Sequence, residues 1–204
     1  MSDASPISLD AVKRGFANPA LEAQHLFRQI MNALARPGLV HDLSDAPEPP
    51  AGISRAMAGV ALTLFDFETS IWLDPMLRGG ESEMWLRFHA NCPFVTDPTE
   101  AEFALVTNIE SAPSLFEFNQ GDPRYPDRST TIVMEVASLS EGGNIELQGP
   151  GIETTHSIAV TGCPEDFWEQ VTTNGDQFQL GVDLFLTNDT RLLGLPRTVQ
   201  ATSN

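Results

Sequence analysis

Helical and strand patterns alternate along this chain of 204 residues, and that alternation limits the fold more than any other feature. Asn18 is a typical N-cap and Pro19 a typical first helical residue, so the sequence predicts a long helix that closes at Pro37. A second helix is predicted over 54–65. Short runs of apolar and β-branched residues, such as SIWLD and TTIVMEV, separate the helices and predict strands.

The remaining segments complete an α/β pattern. Helices are predicted over 83–90, near 114–118 and over 164–175, and strands at EFALVTN, GGNIELQGPGI and THSIAV. The segment GVDLFLTNDTRLLGLP predicts a β-hairpin, because Asn188 and Asp189 tolerate a left-handed backbone at its turn. Together these elements predict a three-layer α/β sandwich with a mixed β-sheet. We expect a single domain over 1–204, with 1–14 as a flexible N-terminal segment.

Charge and cysteine content exclude several classes of protein. Eleven basic against 28 acidic residues give a net charge of −17, which argues against general binding to nucleic acid or to a membrane surface. The longest apolar run, AMAGVALTLF, is too short to cross a bilayer. Cys92 and Cys163 form neither a disulfide framework nor a thiolate zinc motif. We therefore expect a cytoplasmic protein in which any bound anion is held by a local basic patch.

Common catalytic motifs are absent from the sequence. There is no H-E-x-x-H, G-x-S-x-G or G-x-G-x-x-G, and GPGI is interpreted as a glycine turn between strands. The histidines have no second ligand at helical spacing, so no metal site is expected: His25, His41, His89 and His156. Lys13 is the only lysine, which excludes a phosphate-binding Walker loop and a core lysine for a pyridoxal Schiff base.

The first helix has a basic face. Its apolar stripe is predicted to contain Leu26, Phe27, Ile30, Met31 and Leu34, and its opposite face Gln24, His25, Arg28, Asn32 and Arg36. This second face has two arginines and no acid. It is either an anion site, a surface for a partner, or an ordinary solvated helix face.

The segment MWLRFHANCP combines apolar and ionisable residues on one helix. Its buried side is predicted to hold Trp85, Phe88 and Cys92, which makes Cys92 a small core residue. Arg87 lies four residues after Glu83, so it either forms an ion pair on the helix or contacts a ligand. His89 either stabilises the helix C-terminus or acts on a ligand.

Two charged residues near the C-terminus also need partners. Asp183 lies in an apolar strand, where an unpaired carboxylate is unfavourable, so either an arginine or the backbone should bind it. Arg197 follows a proline at a strand end, where a side chain projects into a cleft or into solvent.

Seven segments in a fixed order resemble the PhnH family, the H subunits of the bacterial carbon–phosphorus lyase core complex. They are GFANP, AQHLFRQIMNALARPG, LTLFDFETSIWL, LRFHANCP, GPGI, FQLGVDLFL and LPRT. The resemblance extends from about Gly15 to Thr198. Gln179 departs from the proline that is more frequent in the family, and no basic position departs.

The resemblance implies a fold similar to the main domain of pyridoxal-phosphate-dependent transferases, without that cofactor's site. It implies a homodimer that joins the G, I and J subunits in phosphonate breakdown. In the first step of that breakdown, an alkylphosphonate displaces adenine from ATP and gives a ribose 1-phosphonate 5-triphosphate. ATP and the alkylphosphonate are then substrates of the complex, and no cofactor is expected.

The candidate site combines these basic positions with the implied reaction. We expect one cleft, or the dimer interface, to collect Gln24, Arg28, Arg87, His89, Asp183, Arg197 and Thr198. The arginines would clamp phosphonate and triphosphate, and His89 would carry the proton for departing adenine. Two alternatives stay open: a non-catalytic docking and stabilising subunit of the same complex, or a vestigial fold that senses nucleotide.

Overall fold

The structure is a computed structural model that describes residues 12–203. Within that range the chain forms four α-helices and ten β-strands. The helices are α1 (Pro19–Ala35), α2 (Arg55–Leu64), α3 (Glu81–His89) and α4 (Phe167–Asp176). The strands are β1 (His41–Asp42), β2 (Ile71–Leu73), β3 (Phe94–Val95), β4 (Phe103–Val106), β5 (Thr131–Glu135), β6 (Ser138–Gln148), β7 (His156–Thr161), β8 (Asp183–Asn188), β9 (Arg191–Leu195) and β10 (Gln200–Ser203).

The strands form two sheets. A seven-stranded sheet has the order β1-β9-β8-β5-β4-β2-β3, and a three-stranded sheet has the order β10-β6-β7. In the large sheet β2, β3, β4, β5 and β8 run parallel, while β9 is antiparallel to β8 and to β1. The small sheet is antiparallel. The predicted α/β class with a mixed sheet is therefore confirmed.

A separate hydrophobic core covers each face of the large sheet. On one face α1, α2 and α3 pack through Leu26, Met57 and Trp85 against strand residues that include Leu105 and Phe185. On the other face α4 and the small sheet pack against the alternate strand residues, with Phe167, Leu147, Met134 and Leu186 among them. Because strand side chains alternate between faces, the sheet lies between two apolar layers.

The predicted N-cap of α1 and the predicted hairpin are confirmed, and the structure adds a cap on α2. The Asn18 side chain accepts the N–H of Leu21 at 3.5 Å, and Ser54 caps α2 by accepting the N–H of Met57 at 3.3 Å. Strands β8 and β9 form the hairpin, in which Asp189 has a φ of 54°. Local sequence chemistry therefore determines these boundaries.

Other details differ from the predictions. The stretch near 114–118 is only a 3₁₀ turn, Leu115–Glu117, and β3 and β10 were not predicted. The apolar stripe of α1 is narrower than predicted, because Phe27 and Met31 are 45% and 49% exposed. The buried side of α1 is formed by Leu26, Ile30 and Ala33, and the helix approaches the sheet closely there: a Cβ on Gly194 of β9 would clash with the backbone of Ala33.

The N-terminal prediction can be followed only in part. Of the segment 1–14, residues 1–11 lie outside the described residues. The Lys13 carbonyl accepts hydrogen bonds from α3, so this position is held against the domain. No helix within 12–203 combines the length and the apolar character that a membrane span requires.

Candidate functional site

The seven predicted site residues lie on three parts of the fold. Gln24 and Arg28 are on α1, Arg87 and His89 are on α3, and Asp183, Arg197 and Thr198 are at the start of β8 and after β9. Within residues 12–203, no hydrogen bond or ion pair connects one of these groups with another. The predicted single cleft is therefore not formed by direct contacts within one copy of the chain.

Asp183 and Arg197 form the most enclosed of these contacts. Arg197 Nη2 lies 2.6 Å from Asp183 Oδ2, and the backbone N–H of Arg197 donates to Asp183 Oδ1 at 2.8 Å. The guanidinium also donates to the carbonyl of Pro126 and to Ser129 Oγ, at 2.6 and 2.7 Å. The expectation that Asp183 has a partner is confirmed. Each guanidinium nitrogen already has an internal acceptor, which gives Arg197 the geometry of a structural crosslink.

Thr198 follows Arg197 in the chain, and its backbone lies against another turn. A Cβ on Gly149 would lie 2.9 Å from the Thr198 carbonyl oxygen, so the chain after β9 packs closely against the glycine turn after β6. GPGI thus lies between β6 and β7, which confirms its interpretation as a turn.

The α1 group faces solvent. Gln24 and Arg28 are exposed, and neither side chain has a hydrogen bond or an ion pair within the described part of the chain. The neighbouring His25 Nε2 lies 3.4 Å from Asp45 Oδ2. The basic face that is free of acid within α1 therefore meets a carboxylate from the loop after β1, which the helix sequence alone did not reveal.

Arg87 forms the ion pair that its spacing allowed. Its Nε and Nη2 donate to Glu83 Oε1 at 3.1 and 2.7 Å, and its Cζ lies 4.6 Å from the centre of the Phe94 ring. The N–H of Gly79 donates to the other Glu83 oxygen at 2.6 Å. These bonds, first the one from Gly79 and then the one from Arg87, lower the pKa of Glu83.

His89 contacts the chain near its N-terminus. Its Nε2 lies 3.0 Å from the Lys13 carbonyl oxygen, which also accepts the indole N–H of Trp85 at 3.0 Å. The imidazole makes edge contacts with the rings of Trp85 and Phe88. His89 thus holds the segment before α1 against α3 through the Lys13 carbonyl. A role of His89 in proton transfer remains a prediction.

The structure adds Arg78, which the sequence reasoning missed. Arg78 and Arg87 line the same cavity of about 220 Å³, together with Leu73, Glu83, Phe94, Val95 and Thr96. The cavity lies where β2 and β3 end, at the carboxyl edge of parallel strands where α/β proteins usually bind ligands. The available signal was an arginine soon after the strand SIWLD.

A second cavity, of about 400 Å³, lies beside the C-terminus of α1. Its lining includes Arg36, Glu153 and His156. His156 Nε2 is buried without a hydrogen-bond partner among the described residues. Glu153 also lines this cavity, and Glu141 accepts the N–H of Val40 at 3.1 Å. Burial and then Arg36 lower the pKa of His41.

The described metal-ligating side chains do not cluster, and both thiols have raised pKa values. Within 12–203, no three His, Cys, Asp or Glu side chains are grouped so that they could hold a metal ion. Burial raises the pKa of Cys92 to about 11, as expected for a core thiol, and likewise raises that of Cys163 to about 11.

Comparisons with known proteins agree on one family. The sequence model of "Bacterial phosphonate metabolism protein (PhnH)" matches residues 14–202. The Rhizobium meliloti (strain 1021) protein named alpha-D-ribose 1-methylphosphonate 5-triphosphate synthase subunit PhnH is 40% identical over 185 residues, which cover 91% of this chain and 92% of that relative. The Stutzerimonas stutzeri protein named putative C-P lyase subunit protein HtxG is 33% identical over 178 residues, which cover 86% of this chain and 83% of that relative. The chain belongs to the PhnH family of bacterial phosphonate metabolism proteins.

Proposed function

We propose that this chain is the H subunit of a carbon–phosphorus lyase core complex. In that role it supports the transfer of ribose triphosphate from ATP to an alkylphosphonate, with release of adenine. The observation that carries the proposal is the 40% identity to a named synthase subunit along 91% of the chain. The proposed partners are a second copy of the chain and the G, I and J subunits, in the cytoplasm.

The proposed reaction needs no cofactor bound by this chain. A pyridoxal Schiff base requires a lysine held in a site, and Lys13 is the only lysine in the sequence. Its Nζ forms an ion pair with Glu48 at 2.9 Å, and its side chain is 47% exposed. We propose that the fold is similar to a pyridoxal-phosphate transferase domain. Because the chain has no lysine suited to that cofactor, we propose that it acts without it, with ATP and alkylphosphonate as substrates of the complex.

The second candidate is a non-catalytic docking and stabilising subunit. It is favoured because several predicted site residues bind other parts of the same chain. Arg197 and Asp183 bind each other, and His89 binds the Lys13 carbonyl. On α1, by contrast, Phe27 and Met31 are about half exposed next to the exposed Arg28. Aromatic, methionine and arginine side chains are enriched in protein interfaces. A partner subunit on this face would bury them.

Adenine release tests both candidates. Purified G and I subunits are mixed with ATP and methylphosphonate, with and without this chain, and adenine is measured. The proposed function requires release to depend on the chain, and full release without it would refute the proposal. His89→Ala is then compared with Arg124→Ala, a change of an exposed side chain in the loop before β5, away from α1. Loss of release in an assembled His89→Ala complex whose stability matches wild type supports a role of His89 in the reaction. Full release excludes His89 as the proton carrier, and the docking candidate is then tested by co-purification.

Co-purification tests the docking face. Phe27→Ala and Arg28→Ala alter the exposed side of α1 without touching the core. If α1 docks a partner subunit, both variants should lower recovery of the chain with the complex. Unchanged recovery of both would exclude this face.

A further inference from the structure

We infer that the cavity between Arg78 and Arg87 binds a small tetrahedral phosphorus oxyanion, with an alkylphosphonate as its preferred occupant. The charge and geometry of the cavity are the evidence that an anion binds there. The choice of an alkylphosphonate as that anion rests on the proposed function. Arg78 was not among the predicted site residues, and its pairing with Arg87 becomes visible only in the folded chain.

Charge is the first argument. The two arginines share one carboxylate, Glu83, among the residues that line the cavity. Arg87 bonds to Glu83 directly, and the positive charge of Arg78 also acts on that carboxylate. One positive charge is therefore in excess at this point of a chain whose net charge is −17. In such a chain, a local positive excess is where an anion can bind.

Preorganisation is the second argument, because hydrogen bonds and aromatic rings of the protein hold both guanidiniums in place. Arg78 Nε donates to the Leu73 carbonyl at 3.0 Å, and its Cζ lies 5.5 Å from the centre of the Trp72 ring. Arg87 is held by Glu83 and by the face of Phe94. Among the described residues, no acceptor occupies Arg78 Nη1 and Nη2 or Arg87 Nη1. Paired arginine donors of this kind suit phosphonate and phosphate oxygens.

Size and lining are the third argument. A cavity of about 220 Å³ is smaller than typical drug-sized sites, and it suits a single oxyanion better than a whole nucleoside triphosphate. Thr96 adds a hydroxyl, and Leu73, Phe94 and Val95 add an apolar wall. An alkylphosphonate presents three oxygens to the arginines and an alkyl group to that wall. A terminal phosphate of ATP has the same oxygens but lacks the alkyl group.

Chemical modification of the wild-type chain tests the site without a mutation. Phenylglyoxal is reacted with the purified protein in methylphosphonate, in inorganic triphosphate or in chloride, and modified arginines are identified by mass spectrometry. We expect methylphosphonate to protect Arg78 and Arg87 but not the exposed Arg124. Stronger protection by triphosphate would assign the site to the nucleotide and overturn the alkylphosphonate assignment. Equal modification under all conditions would overturn the site itself.

Binding of methylphosphonate to variants provides an independent readout by calorimetry. Arg78→Gln and Arg87→Gln each remove one guanidinium, and Arg124→Gln is the matched control, at an arginine that is 86% exposed in the loop before β5. A charged hydrogen-bonding partner contributes enough that each cavity variant should lose about tenfold or more in affinity. The control should bind like wild type, and circular dichroism confirms that the variants are folded. Equal affinity of all three variants would contradict the inference.

The two proposals fail in different ways. If adenine release needs the chain but no oxyanion protects Arg78 or Arg87, the anion site is wrong and the proposed function stands. If methylphosphonate protects both arginines in a chain that the complex does not need, the site stands and the proposed function is wrong.

Discussion

Arg197 and Asp183 are joined at two points. Nη2 lies 2.6 Å from Oδ2 and Nε lies 3.2 Å from Oδ1, while the two side chains are only 13% and 21% exposed. The same guanidinium reaches the carbonyl of Pro126 and the hydroxyl of Ser129. One side chain thereby connects the start of β8, the end of β9 and the turn that precedes β5. The pair therefore crosslinks the edge of the sheet at which the parallel strands β5 and β8 begin.

Arg197→Ala is expected to destabilise the fold. It leaves the Asp183 carboxylate without its guanidinium, and breaking a buried pair in this way typically lowers the free energy of unfolding by about 3 kcal/mol or more. Partial exposure reduces this to about 2 to 3 kcal/mol. Urea denaturation measures the change, with Arg28→Ala as the exposed control, expected within about 0.5 kcal/mol of wild type. Equal stability of the two variants would show that the pair has no structural role.

The sequence predicted that Asp183 needs a partner but not which one. It left an arginine and the backbone as alternatives, and the structure uses both, through the guanidinium and the N–H of Arg197. The two residues are 14 positions apart, and only the β8–β9 hairpin brings them together. The hairpin itself was predictable, because its turn chemistry is local.

The anion cavity could not be predicted for a related reason. Arg78 and Arg87 share a cavity because β3 pairs with β2 at the edge of the sheet, in the register Ile71 to Phe94. Strand order depends on long-range packing and leaves no mark in local periodicity. The two-residue β3 was not predicted at all. By contrast, the ion pair of Arg87 with Glu83 lies within one helix, so its spacing was sufficient to propose it.

Both cysteines are expected to react slowly with Ellman's reagent. Burial raises the pKa of each thiol, to about 11, so the reactive thiolate is scarce at neutral or mildly alkaline pH. The rate at pH 8 is compared between the native and the urea-unfolded chain, and the unfolded chain should react much faster. A fast native phase would mean that one thiol is more accessible than its position indicates. Cys163→Ser would then show which of the two is responsible.

Gly151→Ala should destabilise the chain more than Gly142→Ala. Both glycines have a positive φ, 88° and 73°, so an alanine is strained at either position, by about 1 kcal/mol. A Cβ on Gly151 would also clash with the Ala35 carbonyl at the end of α1, whereas Gly142 has open space around it. Thermal denaturation compares the two variants. Equal losses would show that backbone strain alone accounts for both.

Glu135, at the carboxyl end of β5, is the partly buried acid with the clearest effect on pH dependence. Burial raises the pKa of its carboxyl group, and hydrogen bonds from Ser54 and Thr187 partly oppose that rise. Thr187 Oγ1 donates to Glu135 Oε2 at 2.8 Å. Burial disfavours the charged form more than these bonds favour it, so folding favours the protonated carboxyl.

Glu135→Gln should therefore change how stability depends on pH. Because the pKa of Glu135 is higher in the folded than in the unfolded chain, its stabilising contribution is complete below the ordinary value of 4.5 and is lost as pH rises through the folded pKa. The stability of Glu135→Gln relative to wild type should thus increase with pH above 4.5 and then level off. Urea denaturation at a series of pH values measures the difference. Thr187→Val removes a hydrogen bond that favours the carboxylate, so the pKa of Glu135 should rise further in the folded chain. The stabilising contribution of the protonated carboxyl should then persist to a higher pH before it is lost. A difference that falls with rising pH would show that the hydrogen bonds outweigh burial.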